Sequence, residues 1–408
     1  MQPNPSLNRR SNILMLILSS IGILGLLIRS AYLTFTGFSS FDPDSGSSQA
    51  ASLLSVLGML FCAGLLLPVL VYTVKRLKGQ EILLLTIPPV KVWQGAVLFA
   101  TWVLVVVIGT VLARLFVYGW AGAALLFLLG ISLPILSMVW ISTGGLPGGS
   151  RQRLWSVFGF GMLGATVLAM LLEFMVIGMA ALVIGVVVVA HPELRSVIDQ
   201  IKTLVTNAST GNMEALLTVL APYISNPLVI LSILVFAAVL APLIEEAIKP
   251  AVIWFLGKHL GSPAEGFGLG ALCGAGFALL EGLMAASSLS QMWGFGLAGR
   301  AAASLMHITS SGLIGWAIAS AQLEKRYGRL ALIYLLAVSI HGLWNGSVIM
   351  VVYGALRVMI QNMEIDVIGG SFAMGGLGIL FLEFVLLLTA LPLINYRLRQ
   401  SNAHQSLR

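Results

Sequence analysis

The stretch EGFGLGALCGAGFALLEG at residues 265–282 is the part of the sequence that most constrains the fold. It is apolar enough to lie in lipid, and Gly266, Gly270 and Gly274 recur every fourth residue, on one face of a helix. Small residues at this spacing let two helix backbones approach closely inside a membrane. The stretch therefore predicts a membrane helix at the centre of a bundle. The glycines either serve packing alone or make room for a substrate or a neighbouring active-site helix.

The composition of the whole chain agrees with a membrane protein. Of its 408 residues, 58% are hydrophobic and only 9% are charged, whereas soluble domains carry about a quarter charged residues. Apolar runs of about 20 residues are candidate membrane spans. Ten such runs occur, at about 12–35, 50–74, 92–113, 121–142, 155–190, 227–256, 266–288, 298–321, 329–354 and 374–395. The predicted fold is an all-α, polytopic membrane helix bundle of about ten transmembrane helices. The fifth run is too long for one simple crossing and is expected to tilt, protrude or break near Glu173.

The net charge of +7 indicates how the chain is oriented in the membrane and not a nucleic-acid partner. Basic residues cluster in alternate loops, and the loops between them are acidic or mixed. The basic clusters are Arg9/Arg10, Lys75/Arg76/Lys78, Arg151/Arg153, Lys258, Lys325/Arg326/Arg329 and Arg397/Arg399. This bias predicts an integral, multi-pass protein of the plasma membrane with both termini in the cytoplasm. The first apolar run resembles a retained span more than a cleaved signal peptide. Both cysteines, Cys62 and Cys273, fall inside spans, so a disulfide framework is not expected.

The polar residues of the membrane region divide the chain unevenly. Residues 1–190 are predicted to form an N-terminal accessory region of about five spans, and residues 191–226 a polar connector on the outer face. Residues 227–354 contain nearly all the ionisable groups of interest and are the predicted catalytic core. Residues 355–408 are predicted to contain an outer loop, the last span and a cytoplasmic tail.

A pair of adjacent carboxylates begins the chemical argument. The stretch LIEEAIKP at residues 243–250 places Glu245 and Glu246 inside the sixth span, with Lys249 one turn later. Pro250 frees the carbonyl of Glu246 from its helical hydrogen bond, so a kink or opening is expected at the glutamates. Lys249 can pair with either glutamate, which would lower the cost of burying charge. The alternative is a span that ends near residue 244, with the pair as ordinary interfacial charge.

Three further spans each carry a similar group. Glu281 lies in the seventh span, His307 in the eighth, and His341 in the ninth with Asn345 one turn later. A charged side chain at the centre of a span costs about +2.5 to +3.5 kcal/mol on insertion scales. Groups on four consecutive spans are therefore expected to face one another or a wet cavity. The simplest arrangement is one shared polar centre.

This set of residues suits hydrolysis of a peptide bond. Two imidazoles and a carboxylate form a zinc-type ligand set with an open position for water, and Glu281, His307 and His341 are the candidate metal residues. Glu245, Glu246, His341 and Asn345 are the candidate catalytic residues. One glutamate would act as general base, and Asn345 would donate a hydrogen bond to a developing oxyanion. A secondary transporter or proton relay would also use buried Glu and His, and a non-catalytic scaffold or immunity-type protein is a third alternative.

The ordered motifs resemble the PrsW family of intramembrane proteases, which is similar to the CAAX prenyl protease and Abi superfamily. The matching elements, within residues 240–350, are EEAIK (E-E-x-x-K), FALLE (F-x-x-x-E), MHITS and HGLWN (H-x-x-x-N). The resemblance implies an endopeptidase that cuts membrane-anchored proteins, such as anti-sigma factors. It makes Glu245, Glu246 and His341 the strongest catalytic candidates, with Glu281 and His307 completing the centre. Prenyl-protease relatives have His where this chain has Glu281. The resemblance therefore leaves open whether zinc is used or glutamate and histidine activate water alone.

Overall fold

The fold is known from a computed structural model. It describes residues 5–39, 46–115, 119–190, 226–285, 293–360 and 366–406, with residues 199, 202–203, 206, 221 and 223–224 of the connector. Ten described helical segments are long and apolar enough to cross a membrane, as the hydropathy pattern predicted. The described residues contain no strand, only an isolated bridge between Leu84 and Ser150. The predicted all-α membrane bundle is confirmed. Most of the predicted connector 191–226 lies outside the described residues.

The helices follow the predicted spans closely, with interruptions in the fifth and sixth. They are α1 (Pro5–Ser39), α2 (Gly46–Leu77), α3 (Val92–Leu115), α4 (Gly119–Thr143), α5 (Arg151–Gly159), α6 (Thr166–Ala190), α7 (Pro227–Val235), α8 (Ala241–Ile248), α9 (Ala251–Leu256), α10 (Pro263–Ala285), α11 (Trp293–Glu324), α12 (Tyr327–Ile360) and α13 (Val367–Ser406). Two π-helical segments, Phe160–Ala165 and Phe236–Leu240, join α5 to α6 and α7 to α8. Residues 355–360 and 367–373 are helical, so α12 extends beyond the predicted span 329–354 and α13 begins before the predicted span 374–395.

The chain divides into two compact units. Unit 1 comprises Met1–Thr166, Glu246–Ala337 and Leu387–Arg408, and unit 2 comprises Val167–Glu245 and Val338–Leu386. Unit 1 contains α10 and α11, the most buried of the ten spans. Unit 2 contains α6, α7, the C-terminal part of α12 and the N-terminal part of α13. The chain passes from one unit to the other at four places, one of which is the peptide bond between Glu245 and Glu246 in α8.

The glycines of the seventh span pack α10 against α11, as predicted. A Cβ atom added to Gly266, Gly270 or Gly274 would lie 2.2–2.6 Å from a backbone oxygen of α11. On another face of α10, a Cβ on Gly276 would lie 2.3 Å from the carbonyl oxygen of Phe158. Close backbone approach on two sides makes α10 the central helix of unit 1.

Gly270 offers a test of this packing. We expect Gly270→Ala to lower the free energy of unfolding by at least about 1–3 kcal/mol, the usual cost of overpacking, since its Cβ would meet the carbonyl oxygen of Ser311 at 2.2 Å. Gly178→Ala is the matched control, because nothing lies within 4 Å of that position. Alanine there should stabilise α6 by about 0.5–1 kcal/mol. Thermal denaturation in detergent measures both, and equal midpoints for the two variants would contradict the packing.

The irregularity of the fifth span lies earlier than predicted. The helix is continuous through Glu173, and the break is the π-helical segment Phe160–Ala165. A Cβ on Gly161 would lie 2.0 Å from the carbonyl oxygen of Cys273 in α10, and Thr166 Oγ1 donates to the carbonyl oxygen of Gly161 at 3.1 Å. A π-helical turn reshapes one helical turn without ending the helix. It occurs here at the place where the backbone must approach α10.

At one end of unit 1, segments that the charge pattern predicted to lie on the same side of the membrane contact one another. The Leu84–Ser150 bridge joins the loop after α2 to the loop after α4. Gln152 Nε2 at the start of α5 donates to Asn12 Oδ1 of α1 at 2.8 Å. Asn395 Nδ2 of α13 donates to the carbonyl oxygen of Ser142 at 2.9 Å. The N-terminal part of α1 and the C-terminal part of α13 therefore lie at the same end of unit 1, in agreement with an even number of spans.

The prediction that this face is cytoplasmic has a direct test. Lys75, Lys78, Lys325 and Arg326 should lie inside, so we expect Lys325→Cys to resist a membrane-impermeant thiol reagent in intact cells and to react after permeabilisation. The native Cys62 and Cys273 are buried, which keeps background labelling low. Val367→Cys, at the other end of α13 and exposed, is the control that should react in intact cells. Labelling of position 325 from outside would contradict the assignment.

Candidate active site

The sixth span is interrupted where the two glutamates lie. It runs from Pro227 to Leu256, with a π-helical segment before α8 and a break between α8 and α9 at Lys249 and Pro250. Pro250 has no N–H to return to the carbonyl of Glu246, which explains the break. Glu246 and Lys249 are 0% exposed. The alternative of a span that ends near residue 244 is therefore wrong, because the helix continues and the charges are buried.

Lys249 is the central cation of the buried network in unit 1. Its Nζ donates to Glu246 Oε1 at 2.7 Å and lies 2.8 Å from His307 Nδ1. The ammonium lies 4.5 Å from the centre of the Phe277 ring, a cation–π contact. The sequence allowed Lys249 to pair with either glutamate, and the geometry assigns it to Glu246.

His307 is held on both ring nitrogens. An ammonium group has no lone pair to accept with, so Lys249 donates and Nδ1 accepts. Nε2 then carries the hydrogen and donates to Glu281 Oε2, at 2.7 Å. Three features of α10 position the ring: Gly274 admits the backbone of His307, the Phe277 ring contacts its imidazole at 5.3 Å between centroids with a tilt of 56°, and Glu281 accepts its hydrogen. These residues share one face of α10 because they are three and four residues apart.

Arg300 completes the network and was missed by the sequence argument. Its two terminal nitrogens lie 3.3 and 3.0 Å from the two carboxylate oxygens of Glu281. With neutral His307, the network then holds two carboxylates and two cations, so its charges balance. This balance offsets part of the cost of removing the groups from water. A signal was present in the sequence: Arg300 lies seven residues, or two helical turns, before His307 on the same helix face.

The remaining predicted residues come together in unit 2. His341 Nε2 of α12 lies 3.9 Å from Glu245 Oε2, which is longer than a direct hydrogen bond. Asn345 Nδ2 donates to the carbonyl oxygen of Ala237 at 2.8 Å, inside the π-helical segment Phe236–Leu240. Gly342 permits this approach, since a Cβ there would lie 2.2 Å from the carbonyl oxygen of Ala238. The π-helical segment thus fixes α12 and its histidine beside Glu245.

The predicted site residues therefore form two groups, one in each unit. Glu246, Glu281 and His307 are linked through Lys249 in unit 1, and Glu245, His341 and Asn345 lie in unit 2. Glu281, the carboxylate expected in the metal set, is paired with Arg300 and His307 in unit 1. Within unit 2, the carboxylate that lies beside the imidazole of His341 is that of Glu245.

Glu383 is a second residue that the sequence argument did not single out. It lies in α13 within unit 2 and is buried, and no hydrogen-bond partner for its carboxylate oxygens is present among the described residues. A lone carboxylate in the apolar run FLEFVLLL is the sequence signal that could have identified it. It belongs to neither group of the candidate site.

Comparison with protein families identifies the chain. The model of the PrsW family intramembrane metalloproteases matches residues 149–368. The match extends beyond residues 240–350 in both directions and includes the whole fifth span. Searches of curated proteins and of solved structures find no match. The family match covers more than half of the 408 residues and all four motifs. The chain therefore belongs to the PrsW family of intramembrane metalloproteases, and it is a peptide hydrolase of the membrane.

Proposed function

We propose that the chain cuts membrane-anchored proteins at a centre built from Glu245, Glu246, His307 and His341. The observation that carries the proposal is the Glu246–Lys249–His307–Glu281 network, in which Glu246, Lys249 and His307 are buried and Glu281 is partly exposed. Its end residue, Glu246, is covalently joined to Glu245, the partner of His341. A chain that needed only a stable core would be served as well by apolar residues, because buried ion pairs are weak sources of stability. Buried, charge-balanced groups of this kind are typical of a catalytic site.

The residues fit a zinc ion by their chemistry. Glu245, His307 and His341 offer two imidazoles and one carboxylate, the ligand types of catalytic zinc sites that keep a fourth position open. A bound zinc ion would lower the pKa of its water to about 7. Because both nitrogens of His307 are engaged, binding there requires the hydrogen bond of Lys249 or of Glu281 to be given up. Arg300 would keep Glu281 paired in the second case.

The glutamates have separate roles in this mechanism. Glu246 is the general base: its carboxylate, paired with Lys249, takes a proton from the attacking water and later returns one to the leaving amine. The water oxygen bonds to the substrate carbonyl carbon and the carbonyl oxygen becomes an oxyanion. The C–N bond then breaks when this tetrahedral species collapses. Glu245 and His341 are the ligand pair. Glu246 is 0% exposed, whereas the side chain of Glu245 is 13% exposed, so Glu245 is the more accessible of the two.

Asn345 is proposed to stabilise the developing oxyanion. An amide NH2 group has two N–H donors, and the hydrogen bond to Ala237 uses one of them. That bond also fixes the rotamer, so the second N–H is presented in a defined direction. Preorganised donors of this kind act without reorganisation at the moment of reaction.

The substrate class follows from the position of the site. Its residues lie inside membrane spans, so the scissile bond must enter the bilayer. Single-span regulators such as anti-sigma factors are the proposed substrates, and the plasma membrane with cytoplasmic termini is the proposed location. Residues 227–354 are the proposed catalytic core and residues 1–190 an accessory region, although the family match already begins at residue 149.

Reconstitution tests the proposed function. Purified chain in proteoliposomes should cut single-span test proteins, and mass spectrometry should place the new termini inside or beside the span. A Glu246→Gln chain in the same vesicles should give no fragments. Substrate that stays intact with the wild-type chain while the vesicles conduct protons would favour the transporter alternative. Neither fragments nor conduction would favour a scaffold.

A further inference from the structure

A cavity whose lining includes none of the candidate catalytic residues opens at the basic end of unit 1. Its volume is about 300 Å³, and it lies between the first turn of α10 and the ends of α11, α12 and α13. Its polar walls are Glu324, Arg326, Arg329, Ser401 and Asn402, and its apolar walls include Trp316 and Leu398. The cavity therefore combines charged donors with an apolar surface at the level where four spans leave the membrane.

Arg326 and Arg329 have more N–H donors than their contacts within the protein use. Both pair with one carboxylate: Arg326 Nε and Arg329 NH1 lie 3.2 and 3.3 Å from Glu324 Oε2. Arg329 NH1 also donates to Ser320 Oγ at 3.1 Å, and its guanidinium stacks on Trp316 at 4.7 Å from the ring centre. Each guanidinium has five N–H donors. These contacts orient the arginines but leave one net positive charge and several N–H groups for an anion.

We propose that this cavity binds the phosphate headgroup of an anionic phospholipid. Basic pockets between spans, on the side where Lys and Arg cluster, suit lipid phosphates. Arg326 and Arg329 would hold the phosphate, which guanidinium groups recognise through paired hydrogen bonds. Ser401 and Asn402 would meet the glycerol hydroxyls, and Leu398 would face an acyl chain. The bound lipid would join α13 to α10, α11 and α12.

Thermal denaturation of the purified, delipidated chain in neutral detergent tests this binding. Added phosphatidylglycerol should raise the Tm in a saturable way, because a ligand that binds only the folded state stabilises it. Phosphatidylcholine and inorganic phosphate should shift it far less at equal concentration. The Arg326→Gln/Arg329→Gln double variant should bind phosphatidylglycerol at least tenfold more weakly, and native mass spectrometry should show fewer bound lipids. Arg76→Gln/Lys78→Gln, away from the cavity, is the control and should bind like wild type.

A second variant keeps the test decisive if the arginine variant folds poorly. Ser401→Trp fills the rim of the cavity without removing charge, and it should also abolish the shift given by phosphatidylglycerol. Equal shifts from phosphatidylglycerol and phosphatidylcholine, or wild-type binding by both variants, would overturn the proposal. If inorganic phosphate alone raises the Tm by as much as phosphatidylglycerol does, the cavity binds a soluble phosphate and the lipid proposal is wrong.

Discussion

A Glu246→Gln chain is expected to lose peptide cleavage by about 10²–10⁴-fold, the usual contribution of a positioned general base. Glutamine keeps the size of the side chain but cannot accept a proton from water. The same change leaves Lys249 buried without its carboxylate, 2.7 Å from an uncharged amide. Removing one partner of a buried ion pair costs about 3–5 kcal/mol. Loss of activity and loss of folding must therefore be separated.

A double variant separates them. In Glu246→Gln/Lys249→Met both buried charges are gone, so we expect the Tm to return toward that of the wild-type chain while cleavage stays absent. Lys249→Met alone should be the least stable of the three, since it leaves the fully buried Glu246 without a counter-charge. Glu173→Gln, in the same membrane region but in no motif, is the activity control and should cleave normally. Wild-type cleavage by the double variant would remove Glu246 from the reaction.

The grouping of the site residues could be predicted because burial of charge is expensive. Glu246, Glu281 and His307 lie on three different spans, and each is too costly to bury alone. The glycines at Gly266, Gly270 and Gly274 likewise predicted which helix would be central, since only small residues allow such approach. Both inferences need residue type and spacing only, and both hold in unit 1.

The detailed pairing could not be predicted in this way. Lys249 reaches His307 only because the helix breaks at Pro250, and the rotamer of a long side chain is set by such local geometry. Arg300 was passed over because a lone arginine near a span end is usually explained by snorkelling to the interface. The fifth span was expected to tilt, protrude or break near Glu173, whereas its irregular segment is Phe160–Ala165, because hydropathy records length and not backbone approach. Each of these errors concerns contacts between helices, which the residue pattern of a single sequence does not describe.

Removal of metal is expected to abolish cleavage, and added zinc to restore it. A chelated wild-type chain should regain full activity at one equivalent of zinc, measured by elemental analysis and by the cleavage assay. Because Glu245, His307 and His341 are the proposed ligands, replacing His307 or His341 by alanine should weaken zinc binding by more than about 100-fold, beyond the 10–100-fold typical of residues outside the ligand shell. Competition with a zinc-sensitive dye measures this affinity without any substrate.

Variants of Glu245 and Glu281 distinguish the two proposed ligand sets. If the sequence-based set holds, Glu281→Gln should weaken zinc binding as strongly as His341→Ala, and Glu245→Gln should do little. If Glu245 is the ligand, the order reverses. Glu281→Gln then has only the smaller effect of an outer residue, because its amide still accepts from His307 but no longer pairs ionically with Arg300. Full activity after chelation would contradict both sets. The reaction would then rest on glutamate and histidine alone, with Glu246 activating water and His341 protonating the leaving amine.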